Sequence, residues 1–536
     1  MLTYRRRDAW LPLSFTWLAF ALRVYHLGYQ SLWRDEVDAL RFALRDLPAL
    51  LTAFRKSGEN GPLFFLALKP WLAMAGQTEF ALRFPSALAG ALSVPAIYVI
   101  AHRLVGRSPA LVAALLTATA PYLVWYGQEA KMYALLVVIV PVSLWLTVRA
   151  AQKGGWWRWA SLYCLTSLGC YTHVLAALVI PVQAVWLLLI PSGGRPARRL
   201  VAAASYLALL VLPYLPMLWW QAWLWLSPTF QTGHAFVPLP GIVLALAIAF
   251  TRGVLPTTRA MWLATLMPAA MALVAGVALG VFGWGVSAPV HGAPTTGSSR
   301  PTGTGGGHIS ARRAVALLLI WLALPIVAIY GVSLGMPIFT DRYLIWIMPA
   351  FLALVGLGTV TLARLWRPVG LAMLGAFLAL NVAAVAAQAS RPIKSDFRAA
   401  AAFVMQHRQP GDVLMFQIPH IRYAFTYYLE GRTGAVATPD ALPLAEVDAR
   451  GARDAAQAGR LLFFDGPYTN AGMSSESVAG QMARKTQGAP AVWLIASEVP
   501  LWDTRNLAED WLAVHGSATD HAELARVTVT RYQLER

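Results

Sequence analysis

Three carboxylates and one arginine lie close together at residues 31–38, directly after the first apolar stretch of the chain. They are Arg34, Asp35, Glu36 and Asp38, in a chain of which only 13% of the residues are charged. A carboxylate held beside a reacting hydroxyl or amine can accept its proton as a general base. The segment is therefore the first candidate for a reaction centre, with Asp35 as the candidate base.

Each candidate side chain also has an ordinary structural explanation. Asp35 could cap the N-terminus of a helix, supported by Asp38 three residues further on. Glu129 lies in a polar segment between two apolar stretches and could pair at the surface with the lysine two residues later. Glu59 lies in a sequence typical of a turn, and His173 could be a solvated residue between two helices. A joint role is favoured because the predicted topology puts all of them on one side of a membrane.

The composition is that of an integral membrane protein. Of the 536 residues 58% are hydrophobic, and the mean hydropathy is +0.55, whereas about a quarter of the residues of a soluble domain are charged. The net charge of +18 lies mostly in short arginine clusters between apolar stretches. No basic and aromatic binding motif accompanies the charge, so nucleic acid is not an expected partner. Cys164 and Cys170 share one apolar stretch without metal or redox spacing, and both are expected to be small buried residues.

About eleven apolar stretches are predicted to be transmembrane helices. They are residues 9–22, 84–101, 108–126, 132–148, 159–172, 174–191, 200–226, 260–284, 314–335, 343–363 and 369–388. The first lacks a clear cleavage site and is expected to remain as an anchor. The positive-inside rule places the arginine-rich loops in the cytoplasm. Counted from a cytoplasmic start, the loops at 23–83, 127–131 and 171–174 then lie on the extracytoplasmic side of the cytoplasmic membrane. If residues 235–251 lie on or dip into the outer face, Asp341-Arg342 and everything after residue 388 lie on that side as well.

Three segments between the spans have a character of their own. Residues 37–54 carry leucines at positions 40, 44, 47 and 51, which predicts one amphipathic helix at the outer face of the membrane. Residues 61–75 are apolar except for Lys69 and predict a short or re-entrant helix. Residues 285–312 are rich in Gly, Ser, Thr and Pro and predict a flexible cytoplasmic linker. They lack the Lys-Ser/Thr and the flanking strand of a phosphate loop.

The composition changes to that of a soluble domain after residue 388. The pattern predicts helices at 396–408 and 421–429 and strands at 413–418, 461–464 and 492–496. Such alternation predicts a small α/β domain. No nucleotide-binding fingerprint follows its first strand, so a covering or acceptor-handling role is expected. The chain is thus predicted to consist of a transmembrane catalytic module at 1–388 and an extracytoplasmic α/β domain at 389–536.

Several motifs follow one another in a characteristic order. They are Ser31-Leu32-Trp33-Arg34-Asp35-Glu36, Gly61-Pro62-Leu63-Phe64-Phe65-Leu66, Phe80-Ala81-Leu82-Arg83-Phe84-Pro85-Ser86-Ala87, residues 125–135, Tyr171-Thr172-His173, Asp341-Arg342-Tyr343-Leu344 and residues 397–412. Their order resembles that of the polyprenol-phosphate-sugar glycosyltransferases of the GT-C fold, in the protein-mannosyltransferase-like superfamily. That group includes the lipid A aminoarabinose and lipopolysaccharide core transferases. The resemblance is dense over about 30–180 and patchy afterwards. Members usually carry a second proline before Pro62, where this chain has Gly61.

The resemblance implies an inverting membrane glycosyltransferase with a GT-C-like fold. It would move a sugar from a polyprenyl-phosphate donor to a glycan, lipid or protein acceptor at the extracytoplasmic face. The implied catalytic residues are Asp35, Glu36, Glu59 and Glu129, with the base in the Asp-Glu pair of the first outer loop. Trp33, His173, Gln128 and Tyr126 complete the candidate substrate pocket. No cofactor is certain. The related oligosaccharyltransferases use a divalent metal, which Asp35, Glu129 and His173 could hold, whereas other members work without one.

The departing lipid phosphate requires cations and hydrogen-bond donors at the membrane surface. The candidates are Lys131, Arg342, Tyr343 and Lys69, which lie near the outer ends of predicted spans. Arg342 could equally be an interfacial anchor beside aromatic residues, and Lys69 could extend its amine to the membrane surface.

Two other kinds of membrane protein remain as alternatives. A transporter would place ionisable groups near the middle of the membrane, often in paired repeats. The predicted spans here are nearly free of charge, and no internal repeat is evident. A lipid-linked glycan ligase or polymerase would share the extracytoplasmic site but normally relies on arginine-rich loops.

Overall fold

The computed structural model describes residues 6–54, 60–191, 196–226, 232, 234–255, 259–282, 309–430, 444–446, 461–467 and 472–535. The helices are α1 (Arg6–Val24), α2 (Arg34–Leu44), α3 (Leu47–Ala53), α4 (Leu63–Ala75), α5 (Glu79–Val105), α6 (Arg107–Thr119), α7 (Pro121–Gly127), α8 (Tyr133–Lys153), α9 (Trp156–Thr172), α10 (Val179–Leu189), α11 (Pro196–Leu209), α12 (Val211–Leu226), α13 (Leu239–Arg252), α14 (Arg259–Phe282), α15 (Ala311–Ser333), α16 (Met348–Leu365), α17 (Arg367–Ser390), α18 (Phe397–His407), α19 (Arg422–Glu430), α20 (Ser475–Thr486), α21 (Val499–Trp502) and α22 (Leu507–His515). Short 3-10 helices cover Val174–Leu178, Asp341–Ile347 and Pro419–Ile421. The strands are β1 (Val413–Phe416), β2 (Leu444–Glu446), β3 (Leu461–Asp465), β4 (Ala491–Ala496), β5 (Gly516–Leu524) and β6 (Val527–Leu534).

The chain forms two compact units, which we call the helical unit and the mixed unit. The helical unit consists of Met1–Tyr25, Asp46–Pro70 and Arg83–Ala389. The mixed unit consists of His26–Arg45, Trp71–Leu82 and Ser390–Arg536. The predicted domain boundary lies after residue 388. The mixed unit begins its last segment at almost the same residue but also includes two segments from the N-terminal part of the chain.

The helical unit has the apolar helices of a membrane protein. Among the described residues, five helices are long and apolar enough to cross a membrane, or six if the bent pair α6 and α7 is one span. Six more apolar helices have only 10–17 residues, so the predicted number of eleven spans is not confirmed. Two of them are α4 and α13, where the sequence predicted short or re-entrant segments. The predicted linker at 285–312 lies outside the described residues up to 308, and its last two residues begin α15.

One predicted feature of α9 is only half right. Cys170 is buried, as expected, but Cys164 is exposed. Six residues correspond to a rotation of about 240° around an α-helix, so the two thiols cannot lie on the same face. An apolar stretch does not by itself indicate which of its faces other helices cover.

The bend between α6 and α7 follows from a proline. Ala120 leaves the helical conformation with a ψ of 119°, and Pro121 begins the next helix. Proline disfavours the helical conformation of the residue before it and has no N–H to continue the helical hydrogen bonds. The two helix axes therefore differ in direction by 54°, and α7 carries the chain towards the polar segment 127–133.

Glycines allow three helices of the helical unit to pack closely. A Cβ atom at Gly358 of α16 would lie 1.8 Å from the carbonyl oxygen of Ala272 of α14. A Cβ atom at Gly356 would lie 2.6 Å from the carbonyl oxygen of Pro109 of α6. Small residues at such contacts let helix backbones approach each other in membranes, where packing replaces the hydrophobic effect as the main attraction.

Gly358→Ala is expected to destabilise the protein by about 1–3 kcal/mol, because the added methyl group forces α14 and α16 apart. The measurement is the midpoint of thermal unfolding in detergent. Gly375→Ala in α17 is the matched control, since its Cβ atom would meet nothing within 4 Å and alanine favours the helix more than glycine does. Equal midpoints for the two variants would show that the close approach of α14 and α16 does not limit stability.

The predicted single helix over residues 37–54 is wrong. The segment forms α2 and α3, which are separated at Arg45, where ψ is 153°. Asp46 caps α3 by accepting a hydrogen bond of 2.7 Å from the backbone N–H of Ala49. The two helices belong to different units, and Leu47 is exposed. The leucine spacing predicted one continuous apolar face. An aspartate followed two residues later by a proline is typical of the start of a helix, and this signal determines where α3 begins.

The mixed unit contains one six-stranded sheet in the order β2-β3-β1-β4-β6-β5. The first four strands are parallel, and β6 pairs with β4 and β5 in antiparallel fashion. The predicted α/β domain is confirmed. Asp396 caps α18, and the predicted helix and strands at 396–408, 413–418, 421–429, 461–464 and 492–496 all form within a few residues. The hairpin β5–β6 was not predicted, because only β6 is largely buried and β5 lacks an apolar alternation.

A buried ion pair joins the beginning and the end of the sheet domain. Arg531 of β6 contacts Asp412 with Nε 2.9 Å from Oδ2 and Nη2 3.0 Å from Oδ1. Trp493 donates a further hydrogen bond to Asp412. Burial alone raises the pKa of Asp412, but the hydrogen bonds from Arg531, Gln409 and Trp493 outweigh it and lower the pKa. A lowered carboxyl pKa stabilises the fold above its unfolded value, and that stability is lost as the pH falls through the folded value.

Candidate active site

The acidic motif lies at the start of α2 in the mixed unit. Trp33 is the N-cap residue, and its carbonyl oxygen accepts hydrogen bonds from the N–H groups of Glu36 and Val37. Asp35 therefore lies in the first turn and does not cap the helix, which removes its simplest structural explanation. Near a helix N-terminus the macrodipole favours the ionised carboxylate.

Asp35 and Glu36 have different surroundings. The Glu36 side chain is 0% exposed, and its Oε2 lies 2.9 Å from Nζ of Lys394, which is 5% exposed. The Asp35 side chain is 14% exposed and lies 3.3 Å from Nε of Arg34. Adjacent residues on a helix point about 100° apart. Of the Asp-Glu pair, only Asp35 thus has a partly exposed carboxylate that a substrate could reach, whereas Glu36 is part of a buried ion pair.

Arg34 links the motif to the sheet. Its Nη1 lies 3.0 Å from Oε2 of Glu498 and 3.2 Å from Nε2 of His420. The guanidinium is also 5.8 Å from the ring centroid of Trp502. Burial raises the pKa of Glu498, but the contact with His420 and the charge of Arg34 together outweigh it and hold the pKa below its usual value.

The chain before α2 is held by the same domain. The N–H of Leu32 donates a hydrogen bond of 2.6 Å to the Tyr428 hydroxyl, and Ser31 Oγ accepts one of 3.2 Å from the N–H of Arg398. Arg398 also pairs with Glu79 at 2.7 Å. These contacts fix the backbone on which Trp33 and Asp35 are placed.

The helical unit holds a second group of candidate residues, which begins at the segment 127–133. Gln128 donates from Nε2 to the carbonyl oxygens of Arg23 and Tyr25 at the end of α1, at 3.2 and 2.8 Å. Arg23 is fully buried and donates in turn to the carbonyl oxygens of Thr117 and Ala118 at the end of α6. Orphan carbonyl groups at helix ends attract such donors. The predicted pocket residue Gln128 thus has a clear task in positioning this segment.

Glu129 is only 1% exposed. It is therefore not one half of a solvated surface pair with Lys131, which was the ordinary explanation for it. The backbone of Lys131 is held in place by Ser86, whose Oγ donates to the Lys131 carbonyl oxygen at 3.0 Å. Tyr126 is buried beside this segment, with its ring 5.3 Å from the ring of Tyr133.

His173 is 1% exposed, so it is not a solvated turn residue. Its Nδ1 accepts a hydrogen bond from the N–H of Leu175 at 3.2 Å, which leaves the proton of the neutral ring on Nε2. Burial, and then the charges of Arg342 and Lys131, lower the pKa of His173 to about 3. Nε2 is buried and has no hydrogen-bond partner among the described residues. A neutral donor is therefore directed at a group that the described residues do not supply.

Gly61 shapes the same region. A Cβ atom at Gly61 would lie 1.8 Å from the carbonyl oxygen of Tyr171, two residues before His173. No other residue type fits this close approach, the more common proline included. Glycine in place of the usual proline at residue 61 is therefore needed for the close approach to the turn that carries His173.

Aromatic rings and a cation surround His173. The ring centroids of His173 and Tyr343 are 5.0 Å apart, and those of His173 and Tyr133 are 6.0 Å apart. The guanidinium of Arg342 lies 5.8 Å from the Tyr133 centroid and 6.0 Å from the Tyr343 centroid. His234 also contacts Tyr343 at 6.1 Å, and its pKa is lowered by burial and by Arg342. We call Lys131, Tyr133, His173, Arg342 and Tyr343 the cationic cluster.

Two predicted site residues remain to be placed. Lys69 lies half-buried on α4, and Glu59 lies outside the described residues. Those residues contain no group of three His, Cys, Asp or Glu side chains placed to hold a metal ion. We assign no step to a metal.

Several side chains in these sites were not found from the sequence. In the mixed unit they are Lys394, His420 and Glu498, and in the helical unit they are Tyr133 and His234. Lys394, His420, Glu498 and His234 are remote in sequence from the motifs that they contact. Only Tyr133 carried a signal, because it closes the polar segment 127–133.

The chain is similar to proteins of known class. Residues 59–220 match the family described as dolichyl-phosphate-mannose-protein mannosyltransferase. The crystal structure of ArnT from Cupriavidus metallidurans bound to undecaprenyl phosphate is similar over 98% of both chains, with 13% identity and a TM-score of 0.52. The oligosaccharyltransferase AglB from Archaeoglobus fulgidus, in complex with an inhibitory peptide and a dolichol-phosphate, is similar over 99% of this chain and 74% of that chain, with 12% identity and a TM-score of 0.52. No curated protein matches this chain in sequence.

The fold over nearly the whole chain is that of the GT-C glycosyltransferases. Together with the match to a mannosyltransferase family and the apolar helices, it makes the chain a membrane glycosyltransferase of this fold.

Proposed function

We propose that the chain is an inverting glycosyltransferase that moves a sugar from a polyprenyl phosphate to an acceptor hydroxyl or amine. The observation that carries the proposal is the difference between the two acids of the Asp-Glu pair. Asp35 is partly exposed and contacts Arg34, whereas Glu36 is buried and pairs with Lys394. The solved structures with similar folds contain undecaprenyl phosphate or dolichol-phosphate. They support a lipid-linked donor for this chain. The proposed acceptor is a glycan, a lipid or a protein, and the acceptor peptide tethered to the Archaeoglobus fulgidus oligosaccharyltransferase in another solved structure supports the last of these.

Asp35 is the proposed base. As the acceptor oxygen or nitrogen forms its bond to C1 of the sugar, its proton passes to the Asp35 carboxylate. The bond between C1 and the phosphate oxygen breaks, and the polyprenyl phosphate leaves with the electron pair. Attack opposite the leaving group inverts the anomeric centre, through a transition state with oxocarbenium character.

The cationic cluster is the proposed site of the donor phosphate. Arg342 and Lys131 supply positive charge, and Nε2 of His173 and the hydroxyl groups of Tyr133 and Tyr343 are hydrogen-bond donors of the kind that phosphate oxygens accept. Because His173 is neutral in the physiological range, it adds a hydrogen bond without a charge that would change with pH. The protonation state of His173 therefore need not change when the phosphate binds.

The test of the proposed function uses purified protein in lipid vesicles with a panel of polyprenyl-phosphate sugars and, in parallel, nucleotide sugars. Saturable binding and turnover of at least one lipid-linked sugar are expected, and none with the nucleotide sugars. Binding of no polyprenyl phosphate at all would contradict the proposal, as would transfer from a nucleotide sugar.

The reaction is proposed to take place at the extracytoplasmic face of the cytoplasmic membrane, because the arginine-rich loops are expected inside. Thiols engineered singly at exposed positions between 472 and 530 should then react with an impermeant reagent in intact cells. A thiol at residue 300 should not. The exposed Cys164 has to be replaced by serine first. Labelling at 300 but not at 472–530 would reverse the assigned side.

A further inference from the structure

The motif at α2 contacts the edge of the sheet at which α/β domains usually bind ligands. β1 and β4 are neighbouring parallel strands, and Phe416 pairs with Ile495 at their carboxyl ends. His420 follows β1 and Glu498 follows β4, both within a few residues. The chain continues from β1 to strands on one side of it, and β4 lies on the other, so this is the point at which the strand order reverses. Crevices of this kind are where open α/β sheets place their functional groups.

Glu498 adopts a backbone conformation that is unusual for its residue type. Its φ is 59° and its ψ is 16°, in the left-handed region. Glycine, asparagine and aspartate adopt this conformation more readily, and a longer side chain is held there at a cost in free energy. Such strain persists where the surrounding structure enforces it, and it is common at functional sites. The feature that could require a glutamate here is its carboxylate, which lies 3.0 Å from Arg34.

Arg34 stands between two carboxylates. Its Nε lies 3.3 Å from Asp35 and its Nη1 lies 3.0 Å from Glu498, while His420 Nε2 lies 3.2 Å from the same Nη1 and 3.5 Å from Glu498. If Asp35 were the only carboxylate beside Arg34, the positive charge of Arg34 would stabilise the ionised form of Asp35 without any opposing negative charge. The negative charge of Glu498 offsets part of this stabilisation.

We propose that Glu498, supported by His420, is a positioning residue for the base Asp35 and acts through Arg34. The proposal rests on the proposed function, because it takes Asp35 as the base. Glu498 holds the guanidinium in the orientation that presents Nε to Asp35. It also offsets part of the positive charge, so that Asp35 stays basic enough to accept a proton. The C-terminal domain therefore takes part in the chemistry through the sheet edge that contacts α2.

The charged and titratable groups around Asp35 come from four parts of the mixed unit. They are Arg34 and Glu36 of α2, Lys394 before α18, His420 of the 3-10 helix Pro419–Ile421 and Glu498 before α21. Removal of the Glu498 charge takes away a negative charge near Asp35, so that the positive charge of Arg34 is less balanced there. This change lowers the pKa of Asp35. A base with a lower pKa is a weaker base, so the rate at high pH should fall.

The test is the pH dependence of kcat for Glu498→Gln, with the lipid-linked donor that the wild-type protein turns over. The plateau of kcat at high pH is expected to fall about tenfold. The acidic limb of the pH–rate profile, where kcat falls as Asp35 becomes protonated, should move to lower pH by about half a unit or more. Glu498→Asp, which keeps the charge on a shorter side chain, should recover part of the rate and most of the position of the limb.

Two controls separate this role from a structural one. Asp412→Asn removes the carboxylate that pairs with the buried Arg531, and it should lower the midpoint of thermal unfolding without moving the acidic limb of the pH–rate profile. Glu498→Asn removes the carboxylate but places a residue that accepts the left-handed conformation. It should keep or raise the unfolding midpoint while the rate falls.

Each outcome bears on one statement. If Asp35→Asn abolishes transfer but Glu498→Gln leaves both the plateau and the acidic limb unchanged, the positioning role is wrong and the proposed function stands. A fall in rate with an unmoved limb, tracking the unfolding midpoint across the variants, would also overturn the role. If Asp35→Asn transfers normally, the assignment of the base fails, and the role of Glu498 fails with it.

Discussion

Replacement of Asp35 by asparagine is expected to lower kcat by about 10²–10⁴-fold, the contribution typical of a general base. Asparagine has nearly the same size and shape but cannot accept the proton of the acceptor. The partly exposed side chain of Asp35 contacts its neighbour Arg34 at 3.3 Å, so the fold should tolerate the change. The measurement is the rate of sugar transfer by purified protein in lipid vesicles, together with donor affinity and the midpoint of thermal unfolding. Both of the latter should stay close to wild type.

The neighbouring acids are matched controls for this variant. Glu36→Gln breaks the buried pair with Lys394, and loss of one partner of such a pair typically costs about 3–5 kcal/mol. Glu36→Gln should therefore lower the unfolding midpoint strongly, which Asp35→Asn should not. Asp38→Asn removes only a half-exposed pair with Arg41 and should change little. Retention by Asp35→Asn of more than a few per cent of the activity would remove Asp35 as the base.

Replacement of Arg342 by glutamine is expected to weaken binding of the polyprenyl-phosphate donor by about 10- to 100-fold. Charge-assisted hydrogen bonds contribute about 1.5–3 kcal/mol each, and about 1.4 kcal/mol corresponds to a factor of ten in Kd. Glutamine keeps a hydrogen-bond donor but loses the charge and the planar fork of the guanidinium. The measurement is the Kd of a fluorescent polyprenyl phosphate in vesicles, and KM for the donor should rise in parallel.

A second arginine serves as the control for Arg342. Arg313 lies exposed at the start of α15, and Arg313→Gln makes the same change of charge and shape away from the cationic cluster. It should leave the Kd unchanged at physiological salt. If both variants bind the donor as the wild-type protein does, Arg342 is an interfacial anchor, and the cationic cluster is not the phosphate site.

The class of fold could be predicted from the sequence because its signals are local and repeated. Long apolar stretches, arginine clusters and the change of composition after residue 388 require no knowledge of contacts. The boundaries were less accessible. The break between α2 and α3 depended on whether Asp46 or the leucine spacing prevailed, and the bend at Pro121 divided a stretch that the sequence read as one span.

The candidate site could be predicted only in part. Motifs directed attention to Asp35, Glu129 and His173 by residue type, and their burial and contacts then distinguished them from a cap, a surface pair and a solvated turn. The partners of Asp35 and Glu36 could not be found in the same way. Lys394 and Glu498 are separated from them by more than 350 residues, and such pairings depend on the fold and not on local sequence.

The three-part make-up of the mixed unit has a consequence for how the protein is made. Residues 26–45 are synthesised long before the C-terminal residues that they contact, such as Lys394 and Glu498. At about 5–20 residues per second, the ribosome needs roughly 20–70 s to reach the last segment, during which residues 26–45 have to remain soluble without these partners. For the same reason, chimeras between related enzymes should exchange all three segments together, because a C-terminal domain grafted alone would arrive without the helix that it is built to hold.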